Sequence, residues 1–131
     1  MKRSITVTMY YPGAVISVNH YMGRRGDGGT YVKREARDWM EGLGWSIKTA
    51  HIEDWIMPIK VLVSGTFKDN RSCPDVHNLL KVVCDSIEEL TGINDKFYRT
   101  ETGDAIIDNS VEPTLTITIE EVTGQSDPPA I

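Results

Sequence analysis

The chain reads as a single α+β domain, a mixed β-sheet covered by two helices, and three observations predict it. Residues 4–10 and 114–119 alternate polar and apolar side chains, the two-residue period of a half-buried strand. Residues 59–67, opened by Pro58, form a β-branched run of the kind that fills a central strand. Residues 33–49 and 76–90 repeat their apolar positions every three to four residues, as amphipathic helices do. At 131 residues, 40% hydrophobic and 25% charged, the chain is long enough for one core and too short for two.

Taken in order, the first strand ends at Pro12-Gly13, and residues 13–30 show little periodicity. Gly23, Gly26, Gly28 and Gly29 surround Arg24 and Arg25 there, which predicts a long flexible loop with a basic tip. The first helix sets Ala36, Met40, Leu43 and Ile47 on one face, with Trp39 nearby. Gly42 and Gly44 each cost about 1 kcal/mol against alanine, so it must lean on tertiary packing or bend. Lys33, Arg34 and Arg37 crowd its first turns, where the helix dipole disfavours cations unless an anion such as a phosphate sits beside them. A polar turn over residues 68–72, carrying Lys68 and Arg71, follows the central strand.

The second helix sets Val76, Leu79, Leu80, Val83, Cys84, Ile87 and Leu90 on its apolar face. Asp75 stands at the N-cap position, and Thr91-Gly92-Ile93 supplies the stop, with Gly92 at the left-handed C′ position. His77, Lys81 and Asp85 recur every four residues along the polar face. The following turn brings in Asp95 before extended residues 97–102 and 105–107. Acids, an imidazole and a lysine beside a helix start suit a divalent cation facing a phosphodiester. The same residues taken singly also fit a plain helix cap, a turn acid and a solvated face.

The order of elements is therefore β-α-β-α-β-β, with a domain over residues 1–124 and residues 125–131, which include Pro128 and Pro129, as a flexible tail. No stretch approaches the roughly 20 apolar residues of a membrane-spanning helix, and the first residues lack an apolar signal core. A cytoplasmic location without a membrane partner is expected, and Cys73 and Cys84 are expected as reduced thiols. A zinc site built on Cys73, His77 and Cys84 fails on direction, because Cys84 belongs to the apolar helix face and His77 to the polar one.

The formal charge of −5 opposes DNA binding at first sight, since phosphate neutralisation falls to Lys and Arg. All 14 basic residues, however, lie within residues 1–99, whereas residues 100–131 hold none and carry Glu101, Asp104, Asp108, Glu112, Glu120, Glu121 and Asp127. The front of the chain is thus modestly basic.

The run Asp75-x-x-Asn78-Leu79-x-Lys81-x-x-x-Asp85, followed by Gly92-Ile93-Asn94-Asp95, resembles the RusA family of Holliday-junction resolvases, endonucleases of phage and prophage origin. The likeness runs from about Ile5 to Val122; Asn19-His20-Tyr21 resembles a polar and aromatic segment of that family, and Thr30-Tyr31-Val32-Lys33 a short extended piece before its first helix. His77 stands where the family usually has its second aspartate, and Asn94 where an aspartate commonly precedes the last ligand. The resemblance implies a RusA-like fold and a homodimer that makes paired symmetric nicks in branched DNA, the four-way junction. It makes Asp75, His77 and Asp95 the ligands of Mg²⁺ or Mn²⁺, and Asp75, Lys81 and Asp95 the catalytic set. Asn78 and Asp85 become the groups that orient them. Arg24, Arg25, Lys33, Arg34, Arg37, Lys68 and Arg71 become DNA contacts. An alternative is a descendant that keeps the fold and binds branched DNA without cutting it.

Overall fold

A computed structural model describes residues 2–122. Its sheet contains β1 (Ser4–Tyr10), β4 (Ile59–Phe67), β5 (Tyr98–Ile107) and β6 (Thr114–Glu121) in the order β1-β6-β4-β5. Strands β4 and β5 are parallel, and the other two pairings are antiparallel, so the sheet is mixed as the sequence predicts. Parallel neighbours need a crossover, and α2 (Leu80–Thr91) supplies it between β4 and β5.

Alternate residues of β4 and β6 are buried, and the opposite set is only half-buried. One sheet face is therefore the core floor: Val61, Val63, Leu115, Ile117 and Ile119 are fully covered there. The roof is α1 (Arg34–Lys48), contributing Trp39, Leu43 and Ile47, together with α2, contributing Val82, Val83 and Ile87. Trp39 also ties the roof to β1 by donating its indole N–H to the Tyr10 carbonyl at 2.8 Å.

The helix α1 runs fifteen residues through both of its glycines, leaning on packing. A Cβ placed on Gly44 would lie 2.5 Å from Leu90 Cγ of α2, so the missing side chain lets the two helices meet. At Gly42 the nearest atom to such a Cβ would be Met9 Cε, at 3.4 Å. Helix propensity favours alanine at both sites by about 1 kcal/mol. Gly42→Ala is expected to keep most of that gain, whereas Gly44→Ala is expected to lose about 1–3 kcal/mol to overpacking. Urea unfolding of the two variants measures the difference, and equal stabilisation by both would refute the close contact.

Two stretches depart from the sequence expectation. Residues 13–30 are not one long loop: a 3-10 turn at Ala14–Ile16 buries Ile16 completely, and β2 (Met22–Arg24) pairs with β3 (Thr30–Val32). Three-residue strands are too short to carry a readable alternation. Arg25 and Gly29 close the hairpin turn by an N–H to carbonyl bond of 2.8 Å, with Gly28 at φ 89°. The motif helix also starts later than predicted, because Val76–Leu79 is a 3-10 turn and the α-helix begins at Leu80. Three residues per turn instead of 3.6 takes His77 off the regular four-residue spacing that Lys81 and Asp85 keep.

Farther on, Asp95–Phe97 is another 3-10 turn, capped by Asn94, whose side chain accepts the Lys96 N–H at 2.9 Å. Strand β5 then runs unbroken to Ile107, forming a sheet edge on which Tyr98 alone is buried. Acids of the last quarter are partly spent within the sheet: Lys60 meets both Glu101 and Glu120, and the buried Glu121 takes Arg3 at 2.8 Å. The hydrogen bond from Arg3, with the Ile56 N–H behind it, holds the Glu121 carboxyl down at about 2. The last strand of the sheet ends at Glu121, and both the domain boundary expected at residue 124 and the tail expected over residues 125–131 lie outside the described residues.

Candidate functional site

The motif begins where β4 hands over to the turn before α2. Asp75 has extended backbone, and its Oδ1 accepts the His77 N–H at 3.0 Å, so the carboxylate caps the 3-10 turn and is fixed by it. Its second oxygen makes no hydrogen bond among the described residues. Asp75 and Asn78 stand on the wall of a cleft of about 630 Å³ that also takes in Lys68 and Arg71 from the turn after β4. Two of the seven residues predicted to meet DNA are thereby brought beside the first predicted metal ligand.

A second group forms along α2. Asp85 accepts the Tyr21 hydroxyl on Oδ2 at 2.7 Å and faces Lys81 Nζ at 3.4 Å from Oδ1. Tyr21 is buried, and its burial together with the bond to Asp85 raises its hydroxyl far above the ordinary range, which keeps it a donor. Sequence reasoning missed this residue as a partner of Asp85, because 64 positions separate the two. The signal available was the aromatic residue within the polar segment Asn19-His20-Tyr21.

Residues 13–21 connect the two groups. Ala14 and Ser17 line the cleft, and the Val18 N–H donates to the Asn78 carbonyl at 2.9 Å. The Lys33 N–H donates to the Tyr21 carbonyl, also at 2.9 Å.

Asp95 and His77 are both exposed. Asp95 lies toward Cys84 of α2, where burial first, then the charges of Asp85 and Asp95, push the thiol up to about 12. Both cysteines are free. Among the described residues no three His, Cys, Asp or Glu side chains converge as a metal-holding group. Of the remaining predicted DNA contacts, Arg24 and Arg25 stand at the tip of the β2–β3 hairpin, and Lys33 and Arg34 at the start of α1. Arg37 is ion-paired with Glu89, which makes it the least available to a phosphate. No helix among the described residues is long and apolar enough to cross a membrane.

Set against known proteins, the chain matches an endodeoxyribonuclease family, over residues 12–120. That span includes the motif, the Tyr21 segment and most of the sheet, and the family is described as Endodeoxyribonuclease RusA. The chain belongs to the RusA family of Holliday-junction endonucleases. No curated protein sequence matches it.

A nuclease of this kind implies a divalent cation, and the donors can be judged against one. Mg²⁺ is commonly held by one or two carboxylates plus water and substrate phosphate, without a closed protein cage. An exposed Asp75 carboxylate with a free oxygen, beside two cations that can seat a phosphate, fits that mode.

Removing the Tyr21 hydroxyl would leave Asp85 with Lys81 alone. Tyr21→Phe is expected to slow junction cleavage by about 10- to 100-fold with binding unchanged, the range seen when a supporting hydrogen bond is lost. In an Asp85→Asn background the same change should cost little more, which single-turnover rates of the double-mutant cycle would test.

Proposed function

We propose that the chain is a divalent-metal-dependent endonuclease that resolves four-way DNA junctions by paired symmetric nicks, working as a homodimer on branched DNA in the cytoplasm. The observation that carries this reading is the meeting of Asp75 and Asn78 with Lys68 and Arg71 in one cleft, three residues ahead of the Lys81–Asp85 pair. Neither Lys68 nor Arg71 has an acidic partner among the described residues, so both are available to the phosphate backbone. Arg24, Arg25, Lys33 and Arg34 extend the basic track.

In this reading Asp75, Asp95 and His77 would hold the ion, with water and the substrate phosphate bridging donors that do not converge among the described residues. A Mg²⁺ or Mn²⁺ held there would lower the pKa of its water and offset charge on the phosphodiester. Lys81 places its ammonium against the charge that grows on the phosphoryl oxygens. Asp85, fixed by Tyr21, holds that ammonium in place. Asn78 orients its neighbours from a turn whose carbonyl is pinned by Val18. The edge strand β5, ten residues long and open on its outer side, is consistent with a second copy joining there.

Incubating the chain with a synthetic four-way junction in Mg²⁺ or Mn²⁺ tests the reading. Nicks in opposing strands at symmetric positions are expected, with sedimentation at about twice the 14.7 kDa of one chain. A protein that binds the junction but never nicks it with either ion is the non-catalytic descendant. Because an imidazole suits Mn²⁺ better than Mg²⁺, wild type should rank Mn²⁺ first, and His77→Asp should shift the ranking toward Mg²⁺. The same ranking in both would remove His77 from the ion.

A further inference from the structure

The cleft beside Asp75 is larger and less polar than phosphate binding requires. Its volume of about 630 Å³ lies in the range of sites that enclose a small organic ligand. Rings make up part of its walls: Tyr11, Phe67, Pro12, Pro74 and Pro113 line it. The Tyr11 and Phe67 rings meet edge to face, with centroids 5.2 Å apart and planes at 88°, so Tyr11 is held in orientation. The Tyr11 hydroxyl makes no hydrogen bond among the described residues and stays open to solvent, and burial of the ring raises its pKa, so it is a neutral donor free to bond a ligand.

Lys68 and Arg71 add positive charge at the same cleft. A flat aromatic ligand carrying hydrogen-bond acceptors and an attached anion matches the rings, the Tyr11 hydroxyl and the two cations of this lining. DNA offers such a ligand only when a base leaves the stack, since a paired base cannot reach a cleft walled by protein. The exchange point of a four-way junction already interrupts stacking, which makes a base there the easiest to extrude.

We propose that this cleft receives an unstacked nucleobase of the strand being cut, packed against the Tyr11 ring, while Lys68 and Arg71 hold its phosphate. The proposal rests on the junction-nuclease reading and deepens it. Asp75 stands on the same wall, so the captured nucleotide adjoins the phosphodiester to be broken. The cleft thereby sets where along the junction the cut falls.

The test uses wild-type chain in EDTA and junctions carrying 2-aminopurine at successive positions around the branch point. At one or two positions binding should raise the fluorescence about 3-fold or more, as the base analogue unstacks. Ala14→Leu fills the cleft from an exposed position. It should abolish the rise and slow cleavage about 10-fold or more, with junction affinity within about 3-fold of wild type. Tyr11→Ala should behave alike, and Ala14→Leu keeps the test decisive if loss of the Tyr11 ring weakens folding. Tight binding by wild type with no bright position overturns the proposal, as does an Ala14→Leu variant that brightens as wild type does. Absence of any binding to the four-way junction overturns the junction-nuclease reading instead, and this one with it.

Discussion

Asp75→Asn is expected to abolish cleavage of a four-way junction while leaving its binding and the fold intact. The substitution separates the two duties of this side chain. Asparagine caps a helical turn as well as aspartate does, so the bond from the His77 N–H survives. What disappears is the anionic oxygen offered to the ion and the phosphate. Asp95→Asn should behave in the same way, because Asn94 caps its turn and the Asp95 carboxylate makes no hydrogen bond among the described residues. The fall should be on the order of 10³ for either variant, the upper range for losing one group that stabilises a transition state. Gel shift, single-turnover cleavage and thermal unfolding together measure all three consequences. Full activity in either variant, or unfolding of both, would sink the assignment.

Lys81→Ala is the second large effect, a loss of about 10²-fold or more in single-turnover rate. Stability should barely respond. Lys81 is 60% exposed, its partner Asp85 lies one helical turn on, and exposed pairs of this spacing contribute about 0.3–0.5 kcal/mol. Asp85 also keeps its bond from Tyr21 when the lysine is gone. A rate unchanged from wild type would return Lys81 to the solvated surface, whatever its neighbours.

Elements whose side chains alternate in and out of the core were legible because the pattern is local. The burial of Ile117 and Ile119 against the half-exposure of Thr116 and Thr118 follows the sequence residue by residue. The capping role of Asp75 was legible for the same reason, since its partner is two residues away. Lengths under one period were not: Met22–Arg24 is a strand only because it finds Thr30–Val32. Nor could a linear reading see that Gly44 makes room for Leu90, where only the space between two helices explains the glycine. The 3-10 start of the motif was hidden because Asp75 caps a turn of either kind equally well. At the site, residue identities were readable, but their grouping was not. Tyr21 joins Asp85 across 64 positions, and Lys68 joins Asp75 through the bend that follows β4.

Residues 13–21 behave mechanically as a short beam clamped at several points: Ile16 in the core, Val18 on the Asn78 carbonyl, and Tyr21 under the Lys33 N–H. One end of this beam is cleft wall and the other is the hydroxyl that steadies Asp85. Clamped in this way, the segment holds the cleft wall and the Tyr21 hydroxyl in a fixed relation, and that hydroxyl holds Asp85 beside Lys81. The cleft and the Lys81–Asp85 pair therefore share one rigid support, and a substitution within residues 13–21 that shifts one is expected to shift the other.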